Sequence, residues 1–220
     1  MKVLVVAAHP DDEILGVGGT VRKHVLAGDD VRLLIACEGV SMRYEEEHHQ
    51  RVVAQAREAG KILGVADVLF GELPDQRLDT LPRVEVAAKI EEVVRAIDPQ
   101  IVYTHFGGDV NHDHGVLFQA VQVATRPYSA PNVREVLAFE TPSSTEWGAP
   151  AVQGAFVPQI FVDVSQTLED KIRAFCRYER EVRPAPHPRS PESLRARAQT
   201  WGSVIGVAAA EVFMLVRAVR

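Results

Sequence analysis

The chain has 220 residues, of which 46% are hydrophobic, and carries a formal net charge of −6. That much apolar material buries one full core, so a single α/β domain over residues 1–220 is expected. The acidic balance, the absence of a Lys/Arg cluster interleaved with aromatics and the lack of an apolar stretch long enough for a bilayer argue against nucleic acid and membrane as partners. Two isolated cysteines, Cys37 and Cys176, with no secretory leader pattern, fit a cytoplasmic setting.

In chain order, 2–8 reads as a buried strand and 14–27 as a helix closed by Gly28; 31–37 is a second strand. Residues 50–63 have helical periodicity and stop at Gly64, 68–70 is a short strand, and 84–97 is a helix ended by Asp98-Pro99. Strand four is 101–104, followed by a polar, glycine-rich loop over 105–113 and a helix over 115–125. Beyond Pro131 the alternation weakens: 133–139 and 155–164 read as strands around a polar stretch, 141–150, with the character of a mobile lid. Residues 168–178 and 193–202 read as helices, and 211–219 as a last strand or helix. Strands alternating with helices predict a Rossmann-like, three-layer α/β fold with a mainly parallel sheet and right-handed crossovers.

Ligand-type side chains gather where two of these strands end. His9-Pro10-Asp11-Asp12-Glu13 follows the first strand, and His105, Asp109, Asn111, His112 and His114 follow the fourth. Open α/β sheets place their sites at such strand ends. Two imidazoles and a carboxylate would hold a divalent ion with positions left for water, and a zinc-bound water has a pKa near ~7. Neighbouring Asp11 and Asp12 face different ways, so one is expected to ligate and the other to accept a proton. The plainer alternative is that one aspartate caps the helix and Glu13 meets its dipole, which leaves His9 and the second histidine-rich loop unexplained. Gly16, Gly18 and Gly19 do not have GxGxxG spacing, and acids occupy the turn where a pyrophosphate would sit.

Ala8-His9-Pro10-Asp11-Asp12-Glu13 and the later Asn111-His112-Asp113-His114 resemble the motifs of the LmbE-like, or PIG-L, superfamily of zinc-dependent N-deacetylases. The resemblance implies His9, Asp12 and His114 as metal ligands and Asp11 as the general base. It also implies Zn2+ as cofactor, with Fe2+ or another divalent ion as a substitute, a small N-acetylated sugar as substrate, and acetate and a free amine as products. Members of the superfamily often form trimers or hexamers, so a homo-oligomer is an expectation. Rival readings are an amidase for a larger amide conjugate and a non-catalytic sugar-binding module.

Where many members have the first histidine of His-x-Asp-His, this chain has Asn111, whose amide can donate to an oxyanion but cannot protonate an amine. Asp11 returning its proton is the favoured remedy, with His105 or His187 assisting. Arg43 and Arg51, after the second strand, are candidate contacts to sugar hydroxyls or a phosphate, with a solvated loop and helix start as the alternative. Asp75 and Arg77 lie in a stretch similar to the family's substrate-side loop, which makes them candidate contacts to sugar hydroxyls, with a plain turn as the alternative. Asp109 completes the substrate-side set, although it could equally orient a ligand histidine through its second ring nitrogen or serve a turn. Pro184 to Pro191 reads as a stiff basic stretch with Arg183, His187 and Arg189, a candidate to close over the site, with a plain stiff surface connection as the alternative.

Overall fold

The computed structural model describes residues 1–39 and 46–220, the side chains of 46–48 excepted. The opening apolar run forms β1 (Lys2–Ala7). Its alternate residues serve two cores: Val3, Val5 and Ala7 join one buried cluster, and Leu4, Val6 and Ala8 the other. Burial on both faces is why this strand is apolar without alternation.

After β1 come α1 (Asp12–Leu26), β2 (Asp30–Cys37), α2 (Glu46–Leu63), β3 (Asp67–Leu73), α3 (Arg83–Ile97), β4 (Ile101–His105) and α4 (His112–Ala124). Then follow β5 (Glu135–Phe139), the single turn α5 (Pro150–Gln153), β6 (Ile160–Asp163), α6 (Leu168–Phe175), α7 (Pro191–Ile205) and β7 (Ala210–Ala218). The strands form one seven-stranded sheet among the described residues, in the order β3-β2-β1-β4-β5-β7-β6. All pairs from β3 through β5 are parallel, while β7 runs antiparallel to both β5 and β6. The strand order reverses between β1 and β4, which therefore leave a crevice between their C-terminal ends.

The three-layer, mainly parallel α/β expectation holds, with four local differences. β3 is longer than 68–70, because Gly71 lets it lie against β2; a Cβ there would sit 2.5 Å from the Ala36 carbonyl oxygen. The fourth helix starts at His112 rather than Gly115, since Asn111 caps it by accepting the Asp113 N–H at 3.0 Å. The strand expected over 155–164 shrinks to Ile160–Asp163. The 141–150 stretch is not a free lid: Thr145 donates to Asp109 at 2.6 Å, and Arg197 grips Glu140 and Glu146 at 2.7 and 2.9 Å.

The glycines of α1 serve packing. A Cβ on Gly16 would lie 2.2 Å from the Phe139 ring, and the Gly19 and Thr20 N–H groups donate to Glu211 of β7 at 2.9 and 2.7 Å. Glu211 also pairs with Lys171 of α6 at 2.6 Å, and the Lys171 ammonium donates to the Leu15 carbonyl. This buried charge pair fastens α1, α6 and β7 together. Glu211→Ala would strand an ammonium and two amides, so the chain should lose about 3–5 kcal/mol of stability. A shift of the urea unfolding midpoint reads this, and an unchanged midpoint would refute it.

Candidate metal centre and active-site cleft

The tight turn after β1 aims its side chains in divergent directions. Asp11 sits at φ 113°, a conformation that costs a non-glycine residue about 1–3 kcal/mol. Glu13, fully buried, holds it there: one carboxylate oxygen accepts the Asp11 N–H at 3.0 Å and the other accepts the Tyr178 hydroxyl at 2.5 Å. Burial, opposed by these hydrogen bonds, pushes the Glu13 carboxyl up to about 7. Although Asp11 occupies the N-cap position of α1, its side chain makes no capping bond. Helix capping therefore does not account for this carboxylate.

Asp12 turns inward and gathers three imidazoles around one oxygen. Its Oδ2 lies 3.2 Å from His9 Nδ1, 3.1 Å from His114 Nε2 and 3.5 Å from His105 Nε2. Burial alone would raise this carboxyl, but the charge of the His114 ring and the hydrogen bonds from His114 and His9 outweigh it and hold Asp12 well below the usual range.

The donor set suits a divalent cation. His9, Asp12 and His114 place their ligand atoms within 4.8 Å of one another. Donors on a tetrahedral zinc, at bond lengths of roughly 2.0–2.1 Å, stand about 3.3 Å apart, close to the spacings observed here. Each imidazole also meets a carboxylate through its other nitrogen: His9 Nε2 lies 3.0 Å from Asp113 Oδ2, and His114 Nδ1 lies 3.2 Å from Asp109 Oδ1. Such partners fix the ring and its tautomer in metal sites. A second trio, His9, Cys37 and Asp113, also meets the distance requirement. It is the poorer set, because burial pushes the Cys37 thiol up to about 11 and Asp113 already accepts the Leu78 N–H.

The centre floors a cleft of about 590 Å³, lined among others by Asp11, Asp75, Gln76, Arg77, Asn111, Glu181 and Arg189. Asp75 lies 3.2 Å from His9 Nε2, and Arg77 stands beside it on the wall, where the sequence put both. Asn111 also lines the cleft, and since its Oδ1 caps α4, its NH2 is the group left for a ligand.

Four other expectations part from the structure. His105 is fully buried: Nε2 accepts the Ala8 N–H at 2.9 Å, Nδ1 faces the Thr141 hydroxyl, and the ring stacks on His114 at 3.8 Å. Burial and the neighbouring His114 hold it well below the usual imidazole range, so it is a neutral brace with no proton for the cleft. His187 does not line the cleft, and its Nδ1 accepts the Arg189 N–H. Asp109 is spent on His114, Ser144, Thr145 and the Asn111 N–H rather than on substrate. Arg51 is exposed and paired with Glu179 at 2.5 Å, outside the cleft lining. Arg43 lies outside the described residues.

Sequence reasoning missed Asp113, Glu13, Tyr178 and Arg189 as parts of the site. Asp113 had a signal, since it lies between two histidines on a helix start; Arg189 had a weak one in its stiff, basic, proline-rich loop, which did not single it out from Arg183, and Tyr178 had none. If Asp109 secures His114, Asp109→Ala should weaken divalent-ion affinity about 10–100-fold. Titration with a competing chelator measures this, and unchanged affinity would remove Asp109 from the centre.

Residues 4–125, more than half of the chain, match the protein family described as PIG-L, GlcNAc-PI de-N-acetylase. The diacetylchitobiose deacetylase of Thermococcus kodakarensis is 31% identical over 185 residues, which cover 79% of this chain and 67% of that protein. Among solved structures, a conserved protein from Thermus thermophilus is similar with a TM-score of 0.81 at 24% identity, covering 99% of this chain and 96% of that one. A 4-carboxy-2-hydroxymuconate hydratase from Pseudomonas putida is similar with a TM-score of 0.76 at 20% identity, covering 100% and 97%. Likeness at that identity speaks for the fold, which hosts more than one reaction. The matched segment contains both strand-end motifs, and the chain belongs to the PIG-L family.

Proposed function

We propose that this chain is a metal-dependent hydrolase, with Zn2+ as the ion, that removes the acetyl group from an N-acetylated amino sugar to give acetate and a free amine. The observation that carries the reading is the division of labour at Asp11-Asp12, both on the cleft: one carboxylate faces three imidazoles, while its neighbour pairs with Arg189 instead. The family's description and the Thermococcus relative's name both concern N-acetylglucosamine-type substrates, which supports the choice of acetyl sugar.

His9, Asp12 and His114 would hold the ion. When bound, it supplies Lewis acidity, polarising an acyl oxygen and making water acidic enough to ionise near neutral pH. Asp11 takes a proton from the attacking water, whose oxygen bonds to the acetyl carbon. Burial raises the Asp11 carboxyl well above its usual range, against the pull of Arg189, which brings its basicity closer to neutral pH. The Asn111 NH2 donates to the oxyanion that develops. When the C–N bond breaks, the amine nitrogen must gain a proton. Asp11 returns the one it took, a duty that falls to it because Asn111 is not an acid and His105 is walled off.

Asp11→Asn should lower kcat for acetate release from N-acetylglucosamine and its glycosides by roughly 10²–10⁴-fold while bound metal stays at the wild-type level. Assays of acetate and of metal content decide the point. An active Asp11→Asn enzyme, or a wild type inert on every acetylated amino sugar in the panel, would overturn the assignment. Chelation should abolish turnover, and added divalent metal should restore it.

A further inference from the structure

Arg189 enters the cleft from the proline-rich loop that precedes α7. Its Nη1 donates to Asp11 Oδ2 at 2.9 Å and to Glu181 Oε2 at 2.7 Å, and its Nε donates to Ser143 Oγ at 2.6 Å. Its backbone is pinned as well, because its N–H donates to His187 Nδ1 and the next residue, Ser190, caps α7. Asp11 and Ser143, remote from each other in sequence, thus meet on the Arg189 side chain, which Glu181 also holds. Asp11 needs such an anchor, because it makes no capping bond and sits on a strained turn.

We propose that Arg189 is the positioning residue of the general base, fixing Asp11 by Oδ2 so that Oδ1 is the oxygen that works on water and on the leaving amine. The inference rests on the proposed deacetylase reading, in which Asp11 moves both protons. An arginine suits the task because its planar fork carries donors at Nε and Nη1 that reach Ser143 and Asp11 together, which a point ammonium cannot do. A role as anchor for an anionic substrate fits less well, since two carboxylates already share this guanidinium. A base displaced by about 1 Å forfeits on the order of 10²-fold in rate, so the clamp has a catalytic consequence without touching substrate.

Arg189→Ala should lower kcat for acetate release about 100-fold, with KM and bound metal within about twofold of wild type. Guanidinium chloride at a low, non-denaturing concentration should restore part of that kcat in Arg189→Ala and none in Asp11→Asn. Arg189→Lys keeps the charge and guards against a folding failure of the alanine variant; it should retain KM and lose kcat about tenfold. The proposal is overturned by a wild-type kcat in either Arg189 variant, by a rise in KM without a fall in kcat, by loss of metal, or by a kcat loss that guanidinium leaves untouched. A wild type that releases no acetate would overturn the proposed function and this inference with it, whereas an active wild type matched by Arg189→Ala overturns the inference alone.

Discussion

One buried carboxylate organises the site. Asp12, 1% exposed, faces the rings of His9, His105 and His114, and its charge is tolerable in the interior because His9 and His114 meet it by their ring nitrogens and the His9 N–H donates to it. His9 and Asp12 follow β1, whereas His105 ends β4 and His114 stands in the first turn of α4. They meet because β1 and β4 are neighbours at the point where the strand order reverses. Any rearrangement separating these two strands would leave Asp12 without the His114 ring.

Around this centre carboxylates stand beside the ring nitrogens, and their further contacts propagate outward. Asp113 and Asp109 hold the far nitrogens of His9 and His114; Asp113 in turn takes the Leu78 N–H, and Asp109 takes the hydroxyls of Ser144 and Thr145. The turn before α1 is held by Glu13 and Tyr178, and the wall opposite by Arg189. Satisfied networks of this kind are rigid, since loss of any member leaves a buried group without a partner. The C-terminal third, which reads as irregular, is therefore a structural component of the site.

The substitution of asparagine for the first histidine of the second motif redistributes chemical duties. Asn111 keeps a donor on the cleft and caps α4, and in the mechanism proposed above proton return falls to Asp11. A single carboxylate handling both transfers would depend on its placement more than one that shares the work, which is the requirement the proposed Arg189 clamp would answer.

Much of this was legible in the residues. The unbroken apolar run 3–8 announced a strand buried on both faces, the helix and strand alternation announced a mainly parallel sheet, and His9 and Asp12 stood out by type and by their place after a strand, while only the family resemblance singled out His114 from His105 and His112. These features are local or periodic, so they are written in the order of the chain. What only the tertiary structure decided were the roles set by long-range contact: His105 as a neutral brace, Asp109 as a partner of His114 rather than of substrate, the tethered 141–150 segment, and Arg189 on the base. Arg189 and Asp11 lie 178 positions apart, and side chains so distant acquire a relationship only when the packed sheet and its covering helices bring them together.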